Sequence, residues 1–225
     1  MKAPLFLTLF TLSAATSASN AAVLQTIAGP DTATGGGVGN VIVDTSSDTG
    51  DWIDTLNAGS TVFVGFDWTI TNNAGETGAG GFFGGLGVYN GAGERLLIGN
   101  GWPQLTYSGG ASGTIEDTGI AYTLNTTVRI VAELTTTNDG SGNDTWRMWV
   151  DPSTGDLGSP DAERTDWTID DLTQLTHRAG NSPASTTMSN VVIADDFSSA
   201  VSVPEPSSAA LVGLGGMAFI LRRRK

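Results

Sequence analysis

The sequence predicts an all-β chain, an antiparallel β-sandwich with an N-terminal signal peptide and a C-terminal short transmembrane helix. Three observations predict it. Apolar residues through the middle recur with period two, Gly, Asn, Asp and Thr crowd the segments between them, and no amphipathic stretch is long enough for three helical turns. The two ends break this pattern and read as segments addressed to a membrane.

At the N-terminal end, Lys2 supplies a positive start, residues 4–12 a short apolar core, and residues 13–21 a run of small side chains. That order is a secretory signal peptide, with an apolar core too short to span a bilayer. Cleavage fits best after Ala21, with Ser19 at minus three, and Ala18 is the second choice. The β-sandwich is then expected over residues 22–200, followed by a linker at 201–206, a transmembrane helix at 207–221 and a basic cytoplasmic tail at 222–225.

Within the middle, Val62, Val64, Phe66, Trp68 and Ile70 fall on one face of a strand, and Phe63, Asp67 and Thr69 on the other. Val128, Ile130, Ala132 and Leu134 alternate with Arg129, Val131 and Glu133, while Trp146, Met148 and Val150 alternate with Arg147 and Trp149. Further strands are expected at Asn40–Asp44 and at residues 81–90, 95–99, 119–124 and 190–197. Residues 172–178 read as a short helix. Turn chemistry separates the strands at residues 72–75, 90–93 and 138–144.

At the C-terminal end, Pro204-Glu205-Pro206 holds an extended linker, because proline lacks an amide donor and disfavours helix in the residue before it. The apolar run of about 15 residues that follows would cover roughly 22 Å as a helix, against a hydrocarbon core of about 30 Å. Gly213, Gly215 and Gly216 weaken that helix further. Arg222, Arg223, Arg224 and Lys225 form a positive stop of the kind kept in the cytoplasm. The tripartite tail resembles the PEP-CTERM sorting signal. That resemblance implies cutting near Pro204-Glu205-Pro206 by an exosortase, a transient stay in the inner membrane, and a bacterium that makes exopolysaccharide. A span this short suits a temporary stop better than the alternative, a permanent anchor.

Composition narrows the partners. Ten basic residues face 23 acidic ones, and five of the ten lie in the two end segments, with Glu205 the one acid there. The middle keeps Arg95, Arg129, Arg147, Arg164 and Arg178 against 22 carboxylates, a charge of −17. Such a surface repels nucleic acid, which is held through phosphate neutralisation. With no cysteine, thiol nucleophiles, thiolate metal sites and disulfides are excluded.

The stretch from Tyr122 to Pro152, with the final strand ending at Asp195-Asp196-Phe197, resembles the second half of a concanavalin A-like (laminin G-type) jelly roll. That fold hosts both glycan-cleaving enzymes and binding modules, so the resemblance implies an exported sandwich and leaves its activity open. The Glu-x-Asp-x-x-Glu strand of its glucanase members is absent. Glu116-Asp117, Asp170-Asp171 and Asp195-Asp196 are neighbours, and strand neighbours point to opposite faces. The lone histidine, His177, is expected on the surface, and no Gly-x-Ser-x-Gly elbow surrounds a serine.

Two binding chemistries stay open. Asn138, Asp139, Asn143 and Asp144 offer oxygen ligands for calcium, with Asp195 and Asp196 as a second set, though a solvated hairpin turn uses the same residues. Trp102, in a loop, and Trp149, on the strand face opposite the core, are the candidates for stacking on a sugar ring. The expected protein is therefore an exported, non-enzymatic surface or matrix component. Signal peptidase and exosortase process it, and adhesion or polysaccharide contact is its role. An extracellular glycan hydrolase or lyase is the alternative.

Overall fold

The computed structural model describes residues 22–27, 29–34, 39–72, 83–101, 106–111, 114–137, 139–140, 142–153, 157–169, 171–180 and 184–202, and every structural statement concerns these. The chain opens with β1 (Val23–Ile27), β2 (Asp31–Thr34) and β3 (Asn40–Asp44), then a six-residue helix α1 (Trp52–Asn57). β4 (Thr61–Asn72), β5 (Phe83–Asn90), β6 (Gly93–Asn100), β7 (Thr106–Ala111) and β8 (Thr114–Ala121) follow. β9 (Thr127–Thr135), β10 (Asp144–Val150), β11 (Ala162–Trp167), β12 (Leu172–Gly180) and β13 (Ser185–Ala194) complete the strands, and α2 (Phe197–Val201) ends the described chain.

The strands form two antiparallel sheets. One has the order β1-β13-β4-β9-β10-β11, with β2 also on β13, and the other runs β3-β12-β5-β6-β7-β8. This is the expected all-β antiparallel sandwich. The alternation read from the sequence decides the core. Val62, Val64, Phe66, Trp68 and Ile70 of β4, Val128, Ile130, Ala132 and Leu134 of β9, and Trp146 and Met148 of β10 are buried against the second sheet. Leu86, Val88, Leu96, Ile98 and Leu175 meet them from that sheet. Close strand packing there needs glycine: Gly85, at φ +136°, pairs with Gly99, and a Cβ on Gly85 would strike the Ile98 carbonyl.

α1 caps one end by burying Trp52, Ile53 and Leu56. Its cap residue Asp51 makes no side-chain bond, and Asp48 Oδ2 instead accepts the Ile53 amide at 2.9 Å. Asn57 ties the helix to β12, donating to the Leu172 carbonyl at 2.9 Å and accepting the Leu172 amide at 2.8 Å.

A second, smaller core lies on the outer face of the first sheet. α2 lies there over Phe63, Val131, Trp149, Val192 and Ala194, contributing Phe197, Ala200 and Val201. Asp196 caps it, its Oδ1 accepting the Ser199 amide at 3.1 Å. Gly65 makes room, since a Cβ at that position would overlap the Ala200 carbonyl.

The segment expected as a helix at 172–178 is the strand β12, which is a correction. Register shifts between Leu172 and Gln174 and between Leu175 and Thr176 interrupt its alternation. A bulge of this kind adds one residue, so Leu172 and Leu175 are both buried at a spacing of three, which reads as a helix. β1, β2, β7 and β11 were not among the expected strands. Three of these carry little apolar alternation (Asp-Thr-Ala-Thr, Thr-Tyr-Ser-Gly-Gly-Ala and Ala-Glu-Arg-Thr-Asp-Trp).

Candidate functional site

Three polar constellations stand out. The first is an open groove of about 570 Å³ where the edge strands β8 and β11 of the two sheets meet, lined by Glu116, Glu163, Arg164, Thr165 and Asp166. Arg164 organises it: Nε donates to Asp166 Oδ1 at 2.5 Å, one terminal nitrogen reaches Asp166 Oδ2 at 3.1 Å, and the other reaches Glu116 Oε1 at 3.3 Å. Its guanidinium lies 5.2 Å from the centre of the Trp167 ring. Hydrogen bonding to Arg164 holds the Asp166 carboxyl below the usual carboxylate range, and the same bond raises Arg164. Glu163 is anchored from the side by Arg147 at 3.0 Å, which also donates to Glu133 at 2.7 Å. A glycan-cleaving acid needs a carboxyl held protonated near neutral pH. The described carboxylates whose pKa departs clearly from its ordinary value, Asp44, Asp166 and Asp196, all move down.

The second constellation has the order of a hydrolase triad. His177 Nδ1 lies 2.5 Å from Asp31 Oδ2, and Nε2 lies 2.8 Å from the Thr186 hydroxyl. Asn40 donates to both Asp31 oxygens, at 3.0 and 3.1 Å. The surface position expected for His177 is corrected: His177 and Thr186 are both 0% exposed. Burial lowers the His177 pKa, partly offset by Asp31, so the ring is neutral at pH 7. It donates Nδ1–H to the carboxylate and accepts from Thr186. A nucleophile must meet its substrate, and a sealed hydroxyl does not. The relay instead bolts the sheets together, with Asp31 and Thr186 on β2 and β13 of one and His177 on β12 of the other.

The third constellation holds α2 on its sheet. Arg129 projects from the outer face of β9, donating to Asp67 Oδ1 at 3.1 Å, the Asn190 carbonyl at 2.7 Å and the Ala200 carbonyl at 2.6 Å. Asn190 in turn donates to Asp67 Oδ2 at 2.7 Å. Asp67 and Glu133, which stand alone in the sequence, are thus both paired with arginine across neighbouring strands. The sequence signal was present: each is an acid on an outer strand face in a chain whose middle has five arginines.

The residues singled out from the sequence fare differently. Trp149 is 5% exposed, with the Phe197 ring edge-on at 5.0 Å, so α2 covers the face a sugar would need. Its proposed glycan contact is corrected on that ground. Asp144 is buried and engaged: Oδ1 accepts the Thr137 amide at 2.9 Å and Oδ2 the Ile169 amide at 2.6 Å. Asp139 accepts the Thr137 hydroxyl at 3.0 Å and lies 3.5 Å from Asn143 Nδ2. Asp195 accepts the Ala22 amide, and Asp196 caps α2. Among the described residues no three His, Cys, Asp or Glu side chains gather where they could hold a metal ion. Trp102, Asn138, Ala21, Pro204, Glu205, Pro206, Arg222, Arg223, Arg224 and Lys225 lie outside the described residues. So does the expected transmembrane helix, and no helix among the described residues is long and apolar enough to cross a membrane.

α2 leads directly into the segment that known proteins illuminate. Residues 202–225 match the family model of the PEP-CTERM protein-sorting motif. The chain carries this motif, which implies an exosortase as processing partner and export to the cell surface with transient membrane anchoring. No curated protein matches the chain. Among solved structures it is similar to the endo-β-1,4-glucuronan lyase of the fungus Trichoderma reesei, at 11% identity over 63% of this chain and 71% of the lyase, TM-score 0.44. Trypanosoma rangeli sialidase matches at 18% identity over 77% of this chain, TM-score 0.48, but only 26% of the sialidase is covered. An alginate lyase from Aplysia kurodai matches at 11% identity over 61% of this chain and 70% of the lyase, TM-score 0.37. These likenesses assign no activity to the chain.

Proposed function

We propose that this chain is an exported surface or extracellular-matrix protein, released or attached after exosortase processing, whose β-sandwich is a non-catalytic module for adhesion or polysaccharide contact. The observation that carries the reading is the sorting motif at residues 202–225, joined to a compact domain whose last element, α2, ends at Val201. The N-terminal signal peptide with cleavage after Ala21 completes the route: signal peptidase removes the leader, and the tail halts the chain in the inner membrane until the exosortase cuts. Two findings support the absence of catalysis. The triad-like arrangement among the described residues is sealed, and the groove carboxylates Glu116, Glu163 and Asp166 are engaged by arginines. The groove at β8 and β11, open and lined with acceptors beside Trp167, is the surface we assign to glycan hydroxyls in place of Trp149.

Two measurements test this. Replacing Pro204-Glu205-Pro206 with alanines in an exosortase-bearing bacterium should leave the chain uncut in the membrane fraction, and normal release would refute the sorting route. Incubating the exported protein with a glycan panel, scored separately for retention and for new chain ends, should give retention without cleavage. Turnover would replace the adhesive reading with a hydrolase or lyase.

A further inference from the structure

The two ends of the described chain meet. Ala22 N lies 2.7 Å from Asp195 Oδ1, and the Asp195 amide donates back to the Ala22 carbonyl at 3.2 Å. β1 runs on from there along β13, with Val23 opposite Ala194. The next residue, Asp196, caps α2, and Arg129 holds the Ala200 carbonyl at the far end of that helix. The chain then enters the sorting motif at residue 202. One acidic pair therefore grips the start of the domain with its first carboxylate and the strap leading to the tail with its second.

We infer that Asp195 is the binding site for the α-ammonium that leader removal creates on Ala22. The inference rests on the export reading. Hydrolysis of the Ala21–Ala22 bond consumes one water, leaves a carboxylate on Ala21 and frees an amine on Ala22, which takes up a proton. A neutral amide donor facing Asp195 becomes a cation at the same place, and an ion pair replaces a neutral-donor hydrogen bond. β1, β13 and α2, the elements that adjoin this point, carry no charged side chain, so Asp195 supplies the charge within hydrogen-bond reach of the new amine. Maturation of the N-terminus thereby tightens β1 on β13 beside the strap that precedes the sorting motif. Cleavage at the second choice, after Ala18, would place the ammonium three residues away from its partner.

The test uses the mature protein recovered from an exosortase-bearing bacterium. One form begins at Ala22, and a second carries a leader whose removal leaves Ser19-Asn20-Ala21 in front. An NMR titration of the N-terminal amine should give a pKa above the ordinary range of about 7.7–8.0 in the Ala22 form, returning to that range in Asp195→Asn and in the extended form. Thermal melting should show a larger loss from Asp195→Asn in the Ala22 form than in the extended one. Equal amine pKa values with and without Asp195, or equal melting losses in both forms, would overturn the clasp. Mass spectrometry of the natural N-terminus reports separately on the export reading. A start other than Ala22 removes the clasp from the natural protein whatever the titration shows.

Discussion

His177 is the one histidine of the chain, and its ordinary titration range lies just below neutral pH. Burial lowers its pKa from 6.5, with Asp31 pulling the other way, so the unfolded chain takes up a proton before the folded one as pH falls. Its contribution to stability is whole above pH 6.5 and is lost as pH falls through the depressed folded value. The slope is at most about 1.4 kcal/mol per pH unit. The chain has a single histidine, and the lowered carboxylates Asp44, Asp166 and Asp196 act only below their ordinary 3.8. Urea unfolding between about pH 6.5 and 5 should therefore weaken with acid in the native protein and lose that slope in His177→Asn. A native midpoint that stays level over this range would refute the buried neutral ring. Arg129 makes a second residue-level case. Arg129→Met leaves Asp67 without its cation and the Ala200 carbonyl without its donor, and should cost about 2–4 kcal/mol in chemical denaturation. A cost below about 0.5 kcal/mol would mean that the clamp behaves as an ordinary surface pair.

α2 closes the described chain over a core of its own, although it is only five residues long and would not persist alone. Its stability comes from Phe197 packed on Phe63 at 6.1 Å and Trp149 at 5.0 Å, and from the Asp196 cap. Gly65→Ala places a Cβ against the Ala200 carbonyl without touching the inter-sheet core, so it should lift α2 and cost about 1–3 kcal/mol. Acrylamide quenching should rise with it, and adding Trp149→Phe should remove the increase. Unchanged quenching would place α2 elsewhere than on Trp149. How far such elements were legible in the sequence depends on whether one face is wet. β4, β9 and β10 announced themselves because their inner residues alternate over a long run. Trp149 and Phe63 were placed on the outer face correctly, but outer was taken as exposed. A five-residue helix, capped by an aspartate that also reads as the end of a strand, gives no periodicity to warn that a second core lies there. The His177 relay was hidden differently: its partners sit 146 and 9 residues away, joined only by pairing between β12, β2 and β13.

At the scale of the whole molecule, charge sets the terms. A middle segment with five arginines against 22 carboxylates repels itself, even though four of the five, Arg129, Arg147, Arg164 and Arg178, are tied to carboxylates by short contacts. Screening should therefore stabilise the fold, with a melting temperature that rises between low and moderate salt as the Debye length falls from about 30 to about 8 Å. Calcium must be separated from that general effect. An extracellular-type site with a Kd of about 0.1 mM, exposed to about 10 mM calcium, would add about 2.7 kcal/mol. For a domain of this size that is a rise of roughly 5–10 °C. The acids expected to bind it already hold donors: Asp144 at both oxygens, from the Thr137 and Ile169 amides, Asp195 at Oδ1 from Ala22, and Asp196 at Oδ1 from Ser198 and Ser199, while Asp196 Oδ2 is buried. A metal would have to compete with the amides at Asp144 and with the donors already held at Oδ1 of Asp195 and Asp196. Calcium and magnesium chlorides at equal ionic strength should consequently shift the melting temperature by the same amount, to within about 1 °C. An excess of several degrees for calcium alone would show that the acidic surface holds a dedicated site, and Asp139→Asn and Asp195→Asn would then locate it by abolishing the excess.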